Sequence, residues 1–141
     1  MSIEELEYMK TSHKVVDNSL IMINDMLKLK LEDIEKDSDA KYALYGAVFF
    51  FVQGLMDISN YLMIMRDLTP TNYRDIFGIM IRMKMIDEKY SNIVNMLVDI
   101  RNKLLFLYDT PDIGYLYDFV KNNIELLNEL YHDILKLMRE I

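Results

Sequence analysis

Three residues late in the chain carry side chains that could do chemistry on an otherwise ordinary helical surface. Arg101 and Asn102 are adjacent, and Tyr108 follows Arg101 by seven residues. Seven residues are close to two helical turns, so the guanidinium and the phenol should share one helix face, about 10 Å apart along the axis. The core-facing positions form a separate stripe of Leu97, Ile100, Leu104 and Leu107. The Arg101 side chain is therefore expected to point away from its own helix's seam, either into solvent or towards something outside the helix.

The charge of the chain is unevenly distributed around these residues. The segment from Arg66 to Lys103 holds seven basic and five acidic residues, net +2, within a chain of net charge −7. Four of the five arginines lie between Arg66 and Arg101. This distribution indicates either chance clustering or a local patch that faces phosphate. The overall negative charge argues against broad electrostatic binding of nucleic acid.

The spacing of the polar residues resembles a motif of the HEPN superfamily, in which Arg-Asn is followed by three residues, a His, one residue and a Tyr. Arg101, Asn102 and Tyr108 stand at the family spacing, and Phe106 stands where the family has its histidine. The resemblance extends from about Tyr42 to the C-terminus. Three further runs look like one branch of the family: 73–77, 85–87 and 97–102. The motif is characteristic of HepT-type toxins, which pair with a minimal nucleotidyltransferase antitoxin.

The resemblance implies metal-independent RNA cleavage without a cofactor. In this scheme Arg101 would hold the scissile phosphate, Asn102 would orient it, and the missing histidine would move a proton. Phe106 cannot carry a proton, and such proton transfer contributes about 100- to 10,000-fold. We therefore expect weak or absent ribonuclease activity. Tyr108 stands where, in some family members, the partner nucleotidyltransferase attaches AMP.

Two further polar residues are candidates for the site. Gln53, Asp57 and Asn60 fall at i, i+4 and i+7, a polar stripe on an apolar helix. The stripe is either a solvated strip or an interior hydrogen-bond network, or it faces the motif helix. HEPN proteins often carry an acidic residue on this apolar helix near the Arg-Asn pair, and Asp57 stands at the matching position. His13 occupies a seam position and is expected to be hydrogen-bonded across the bundle; the alternative is a catalytic role that compensates for Phe106.

Periodicity predicts four long helices and one short one. A stripe from Leu6 to Ile34 indicates a long first helix that begins with a capping box at Ser2 and Glu5. The second helix is expected at about 40–66 after an N-cap in 37–39, and a short helix at 73–82. The motif helix should run from an N-cap at Asp87 to about 107, and Thr110-Pro111-Asp112 should open the last helix with an N-cap and a proline at the first helical position. The fold class is all-α: an up-and-down antiparallel four-helix bundle with one short additional helix, forming a single domain over 1–141.

The second helix is apolar enough to span a bilayer, with Asp57 as its one charge between Tyr42 and Met65. Its polar stripe, the absence of flanking basic clusters and the amphipathic neighbours favour a central bundle helix instead, without a membrane. The chain has no cysteine, which suits a reducing cytoplasm, and only two histidines, which argues against a histidine zinc site.

The family resemblance also implies a homodimer in which the Arg-Asn pairs of both chains face one cleft. The aromatic run Phe49-Phe50-Phe51 is compatible with a buried dimer face. Three functions stay open at this point: a ribonuclease toxin that tolerates the lost histidine, a degenerate toxin-like subunit that keeps its RNA or antitoxin contacts, and a non-catalytic helical interaction module.

Overall fold

The computed structural model describes residues 2–69, 75–106 and 110–140, and these residues contain six α-helices and no β-strand. The helices are α1 (Ile3–Leu27), α2 (Leu31–Lys36), α3 (Ser38–Ile64), α4 (Ile76–Arg82), α5 (Ser91–Phe106) and α6 (Ile113–Arg139). The predicted all-α class is confirmed.

The long helices alternate in direction along the chain. The ring of Tyr8 in α1 packs against that of Tyr61 in α3, with centroids 5.2 Å apart, and further along α1 Val16 lies against Gly54. Since the contacts move forward along α1 and backward along α3, the two helices run antiparallel. The later pairs behave in the same way: Arg101 bonds to Gln53, and the C-terminal end of α5 lies beside the N-terminal half of α3. This alternation is the up-and-down arrangement that short connections between helices require.

Helix α3 is the centre of the bundle. It contacts α1, α2, α4, α5 and α6. Its buried side chains include Phe51, Leu55, Met56 and Leu62, each at most 1% exposed. An 18-residue stretch of α3 has a mean hydropathy of 1.4, so the helix meets the length and composition expected of a membrane span. Packing on most of its sides gives a sufficient physical reason for that composition.

The predicted helix starts rest on local hydrogen bonds. Ser2 and Glu5 form the expected capping box: the Ser2 hydroxyl accepts from the Glu5 N–H at 3.1 Å, and the Ser2 N–H donates to Glu5 Oε2 at 3.0 Å. Asp37 caps α3 by accepting from the N–H of Asp39 at 3.0 Å. Asp87 accepts from the Lys89 N–H at 2.8 Å and starts a 3-10 turn, 88–90, that leads directly into α5. Each cap satisfies a donor that the helix itself leaves unpaired.

Two predicted boundaries were wrong. The first helix does not continue to Ile34 but ends at Leu27, and α2 begins at Leu31, so the bundle has two short helices rather than one. The Leu29 carbonyl between them accepts a hydrogen bond from the Tyr117 hydroxyl at 2.8 Å. At the other end of the chain, Asp112, not Thr110, caps α6; its carboxylate accepts from the N–H groups of Gly114 and Tyr115, at 3.1 and 3.3 Å.

Candidate functional site

The N–H groups of Arg101 are hydrogen-bonded to side chains on two helices. Its Nε and Nη2 both donate to the Oε1 atom of Gln53, at 2.9 and 2.7 Å. Its Nη1 donates to Oδ1 of the adjacent Asn102 at 2.8 Å. Both Arg101 and Asn102 are half-buried. Two neutral amide oxygens, which bring no negative charge of their own, thus position the guanidinium between α3 and α5.

Asp57 reaches this arrangement through Gln53. The Gln53 Nε2 donates to Asp57 Oδ1 at 3.0 Å, one turn further along α3. Because an amide has one donor end and one acceptor end, this bond directs the Gln53 oxygen towards Arg101. The structure therefore places the predicted acid on the helix that faces the motif, one hydrogen bond behind the residue that contacts Arg101. Of the two predicted orientations of the polar stripe, Gln53 adopts the one towards the motif helix.

The orientation of α5 explains why Arg101 reaches α3. Leu97, Ile100 and Leu104 are buried, at 0%, 2% and 8% exposure, so the predicted seam is confirmed for these positions. Arg101 lies off this seam and turns towards α3, with its Cζ 6.0 Å from the centre of the Phe49 ring. The aromatic face adds a cation–π contact beneath the guanidinium.

The position that the family motif assigns to histidine is the last residue of α5. Phe106 is 58% exposed, and its side chain has no group that can donate or accept a proton at neutral pH. Tyr108, the candidate for modification, lies outside the described residues, as does Leu107, the last member of the predicted seam.

His13 makes its contacts with a different part of the bundle from Arg101. Its Nε2 lies 3.4 Å from Asp17 Oδ2 on the same helix, and its ring is 6.0 Å from the ring of Tyr131 on α6. The Tyr131 hydroxyl donates to Asp17 Oδ1 at 2.5 Å, which ties α6 to α1 beside His13. The ring of His13 thus packs across the bundle against Tyr131, but its polar contact is with Asp17 on its own helix rather than the expected hydrogen bond across the bundle.

Several basic residues of the 66–103 segment have acidic partners. Arg66 lies 3.8 Å from Glu140, Lys89 lies 3.0 Å from Glu129, and Lys103 lies 3.4 Å from Asp99. Asp99 belongs to the segment itself, whereas Glu129 and Glu140 lie outside it and offset part of its net +2. Among the described residues no group of three or more His, Asp or Glu side chains is arranged to hold a metal ion.

Sequence reasoning did not single out two residues of this site. Gln53 belongs to the predicted polar stripe. Its position four residues before Asp57, on an otherwise apolar helix, is the sequence feature that could have identified it as a partner of Asp57 and Arg101. Phe49 belonged to an aromatic run whose members point in different directions. Phe51 is 1% exposed inside the core, Phe50 is 53% exposed, and Phe49 lies between these extremes beside Arg101. The run is therefore not one dimer face, because adjacent helix positions are about 100° apart.

An all-helical fold in which an Arg-Asn pair near the C-terminal end of one helix is hydrogen-bonded to an antiparallel helix agrees with the resemblance to the HEPN superfamily. The sequence model of one family in that class, described as "Ribonuclease HepT-like", matches residues 16–134. The chain belongs to the HepT-like ribonuclease family.

The fold is shared with a solved structure. The structure of the cytosolic protein of unknown function YutE from Bacillus subtilis matches 89% of this chain and 89% of its own, with a TM-score of 0.70 and 19% sequence identity. At this identity the similarity concerns the fold alone. No curated protein sequence matches the chain significantly.

Proposed function

We propose that this protein is a HepT-like subunit with a degenerate ribonuclease site, which binds RNA at Arg101 and Asn102 but cleaves it weakly or not at all. The observation that carries the proposal is the contrast within one helix. Arg101 is fixed by hydrogen bonds to Gln53 and Asn102, which supports a role in binding phosphate, whereas the side chain of Phe106 at the proton-transfer position is exposed and cannot transfer a proton. Binding needs only the first group, and catalysis needs both.

The test combines binding with cleavage. A fluorescent single-stranded RNA is titrated with the purified protein, and the same RNA is incubated with it in EDTA. We expect measurable binding that Arg101→Ala weakens by roughly 13- to 160-fold, the equivalent of about 1.5–3 kcal/mol for a hydrogen bond to a charged group, with little cleavage. Lys103→Ala, on the same helix, is the matched control for the loss of one positive charge. Equal losses of RNA affinity in the two variants would show that Arg101 contributes only as one positive charge among others and not as a specific phosphate-binding residue.

The proposed partners follow from the family. We infer a cytoplasmic homodimer on the toxin side of a nucleotidyltransferase/HEPN pair. Two large apolar side chains on the site helices support a buried contact with a second copy: Phe50 is 53% exposed and Phe106 is 58% exposed. Sedimentation of the wild type and of Phe50→Asp tests the dimer, since a charge in a buried apolar contact should produce monomers.

Tyr108 provides the test of the nucleotidyltransferase contact. The protein is mixed with a cognate small nucleotidyltransferase, ATP and magnesium, and its mass is measured. An added AMP in the wild type that is absent from Tyr108→Phe supports modification. Formation of a complex without a change in mass supports a degenerate partner that keeps the contact. If neither occurs, a non-catalytic helical binding module outside such a pair becomes the better description.

A further inference from the structure

A groove of about 640 Å³ opens beside Arg101, between the N-terminal half of α3 and the C-terminal end of α5. Its described lining is mainly apolar and aromatic. On α3 it consists of Tyr42, Tyr45, Gly46 and Phe49, and on α5 of Leu104 and Leu105. Phe49 belongs to both places, since its ring lines the groove and also lies under the Arg101 guanidinium. The groove and the Arg101 site are therefore neighbours that share one side chain.

Gly46 is the first indication that the groove receives something. It lies in the interior of α3, where glycine is less favourable than alanine. A Cβ atom at Gly46 would meet no atom within 4 Å among the described residues. Gly54, on the same helix, is different, because a Cβ there would lie 2.4 Å from Val16 Cγ2. Packing within the described chain thus requires Gly54 to be glycine but places no such demand on Gly46, whose missing side chain keeps the groove open.

The aromatic side chains supply flat surfaces at helical spacing. Tyr42, Tyr45 and Phe49 occupy positions i, i+3 and i+7 and therefore follow one face of α3. The Tyr45 hydroxyl donates to the Pro111 carbonyl at 2.7 Å, which fixes that ring in place. The Tyr42 ring lies 6.5 Å from it and is 72% exposed. Tyr45 thus supplies a fixed ring and Tyr42 an exposed one, and aromatic rings beside cations are the elements on which single-stranded nucleic acids stack their bases.

The charges at the groove match a nucleotide better than an apolar helix. Lys41 also lines the groove, Arg101 lies beyond Phe49, and none of the described lining residues is acidic. We propose that this groove is a nucleobase subsite, which takes an unpaired base of the RNA whose phosphate is held by Arg101. The inference rests on the proposed function and adds to it a reason for preferring single-stranded RNA. Every base has a flat face that can stack on an aromatic ring. The affinity should therefore depend strongly on whether an unpaired base is present and only weakly on which base it is.

The experiment compares two fluorescent oligoribonucleotides of equal length, one with bases and one abasic, for binding to the full chain. Stacking is worth about 1–3 kcal/mol per base, so the wild type should bind the base-containing RNA roughly 5- to 150-fold more tightly. Gly46→Leu fills the groove and should bring this ratio close to one. Tyr42→Ala, which removes an exposed ring without touching the core, should lower the ratio as well. Gly46→Ala and Gly78→Ala compare glycine replacements at two positions where a Cβ atom meets no close contact among the described residues. Both should raise the Tm, because alanine favours the helix more than glycine does.

The outcomes separate this inference from the proposed function. If Arg101→Ala leaves the affinity for both oligomers unchanged, the proposed function fails. If Arg101→Ala weakens both but Gly46→Leu and Tyr42→Ala leave the ratio at its wild-type value, the subsite is wrong and RNA binding at Arg101 stands. If Gly46→Leu instead converts a dimer to a monomer in sedimentation, with the ratio unchanged, a second copy of the chain fills the groove and the inference is overturned.

Discussion

The Arg101 guanidinium is held by the amide oxygen of Gln53, which accepts from Nε and Nη2 at 2.9 and 2.7 Å. A carboxylate at the same place would accept the same two hydrogen bonds but would also neutralise the cation. The choice of an amide therefore matters for binding an anion, because the amide orients the guanidinium without adding a negative charge of its own. Gln53 is a positioning residue, and it acts through Arg101.

We predict that Gln53→Glu weakens RNA binding more than Gln53→Met. The Glu keeps an acceptor for Arg101, but it loses the hydrogen bond that Gln53 donates to Asp57 and removes about one unit of positive charge from the site. The affinity should fall about tenfold, and the slope of log K against log salt should become shallower by about 0.7. The Met variant loses the acceptor but introduces no negative charge, so its salt dependence should stay close to that of the wild type. Identical salt dependence in all three proteins would show that Gln53 does not set the charge of the site.

Phe106→His should raise RNA cleavage by about 100-fold or more, since it restores a proton-transfer group at the family position. Phe106 is 58% exposed, so the substitution should change the free energy of unfolding by no more than about 0.5 kcal/mol. The measurement is cleavage of end-labelled RNA in EDTA. The gain should disappear in Phe106→His/Arg101→Ala. Met96→His, on the same helix at a position that is 41% exposed, is the matched control and should give no gain. Strong cleavage by the unmodified chain that persists in Arg101→Ala would place the active site elsewhere.

The tyrosine that joins α6 to α1 predicts a stability change at high pH. Burial raises the pKa of Tyr131 well above its usual value, and the hydrogen bond to Asp17 adds to the shift. A group with a raised pKa in the folded state contributes stability that is complete below the unfolded pKa of about 10 and is lost as the pH rises above it. The wild type should therefore lose stability above about pH 10, and Tyr131→Phe should lose less.

At neutral pH the same substitution should have the opposite consequence. Tyr131→Phe removes the hydrogen bond to Asp17 and should lower the free energy of unfolding by about 1.5–3 kcal/mol, the range for bonds to charged groups. Urea titrations at pH 7 and pH 10.5 measure both effects. Burial and Asp133 also raise the pKa of Tyr90, so some alkaline sensitivity should remain in the single variant. A Tyr131→Phe protein with an unchanged midpoint at both pH values would contradict the assignment.

The contact of α1 with α3 predicts a size limit at Gly54. A Cβ atom there would lie 2.4 Å from Val16 Cγ2, so Gly54→Ala should lower the free energy of unfolding by about 1–3 kcal/mol despite the higher helix propensity of alanine. Val16→Ala in the same chain removes the clashing methyl group and should recover part of the loss. Thermal unfolding of the two single variants and the double variant gives the coupling between them. Additive losses would show that the helices separate rather than clash.

Local patterns predicted much of the fold because their causes are local. The capping box at Ser2, the cap at Asp37 and the apolar seam of α5 depend on residues within one or two turns of each other. The position of Arg101 off that seam follows from the same periodicity. These features needed no knowledge of what the neighbouring helix would be.

The features that the sequence did not reveal depend on residues distant in the chain. The break after Leu27 has no glycine or proline to mark it and is accompanied by a hydrogen bond from Tyr117, 88 residues away from Leu29. The acceptor for Arg101 is Gln53, 48 residues earlier. Asp112 rather than Thr110 caps α6, and the carbonyl of the preceding Pro111 accepts a hydrogen bond from the Tyr45 hydroxyl. In each case a tertiary hydrogen bond accompanies a choice that local propensity left open.

The central position of α3 has a consequence during synthesis. It is the most apolar of the four long helices, and its partners lie on both sides of it in sequence: α1 and α2 precede it, whereas α4, α5 and α6 follow. A ribosome adds the residues between the end of α3 and the end of α6 in roughly 4 to 15 s at 5 to 20 residues per second. Until then, the face of α3 that carries Phe51 lacks Tyr131, its partner 6.5 Å away in the folded chain. A chain truncated before α6 would therefore expose the apolar surface of α3, and such a fragment would be a substrate for chaperones and proteases.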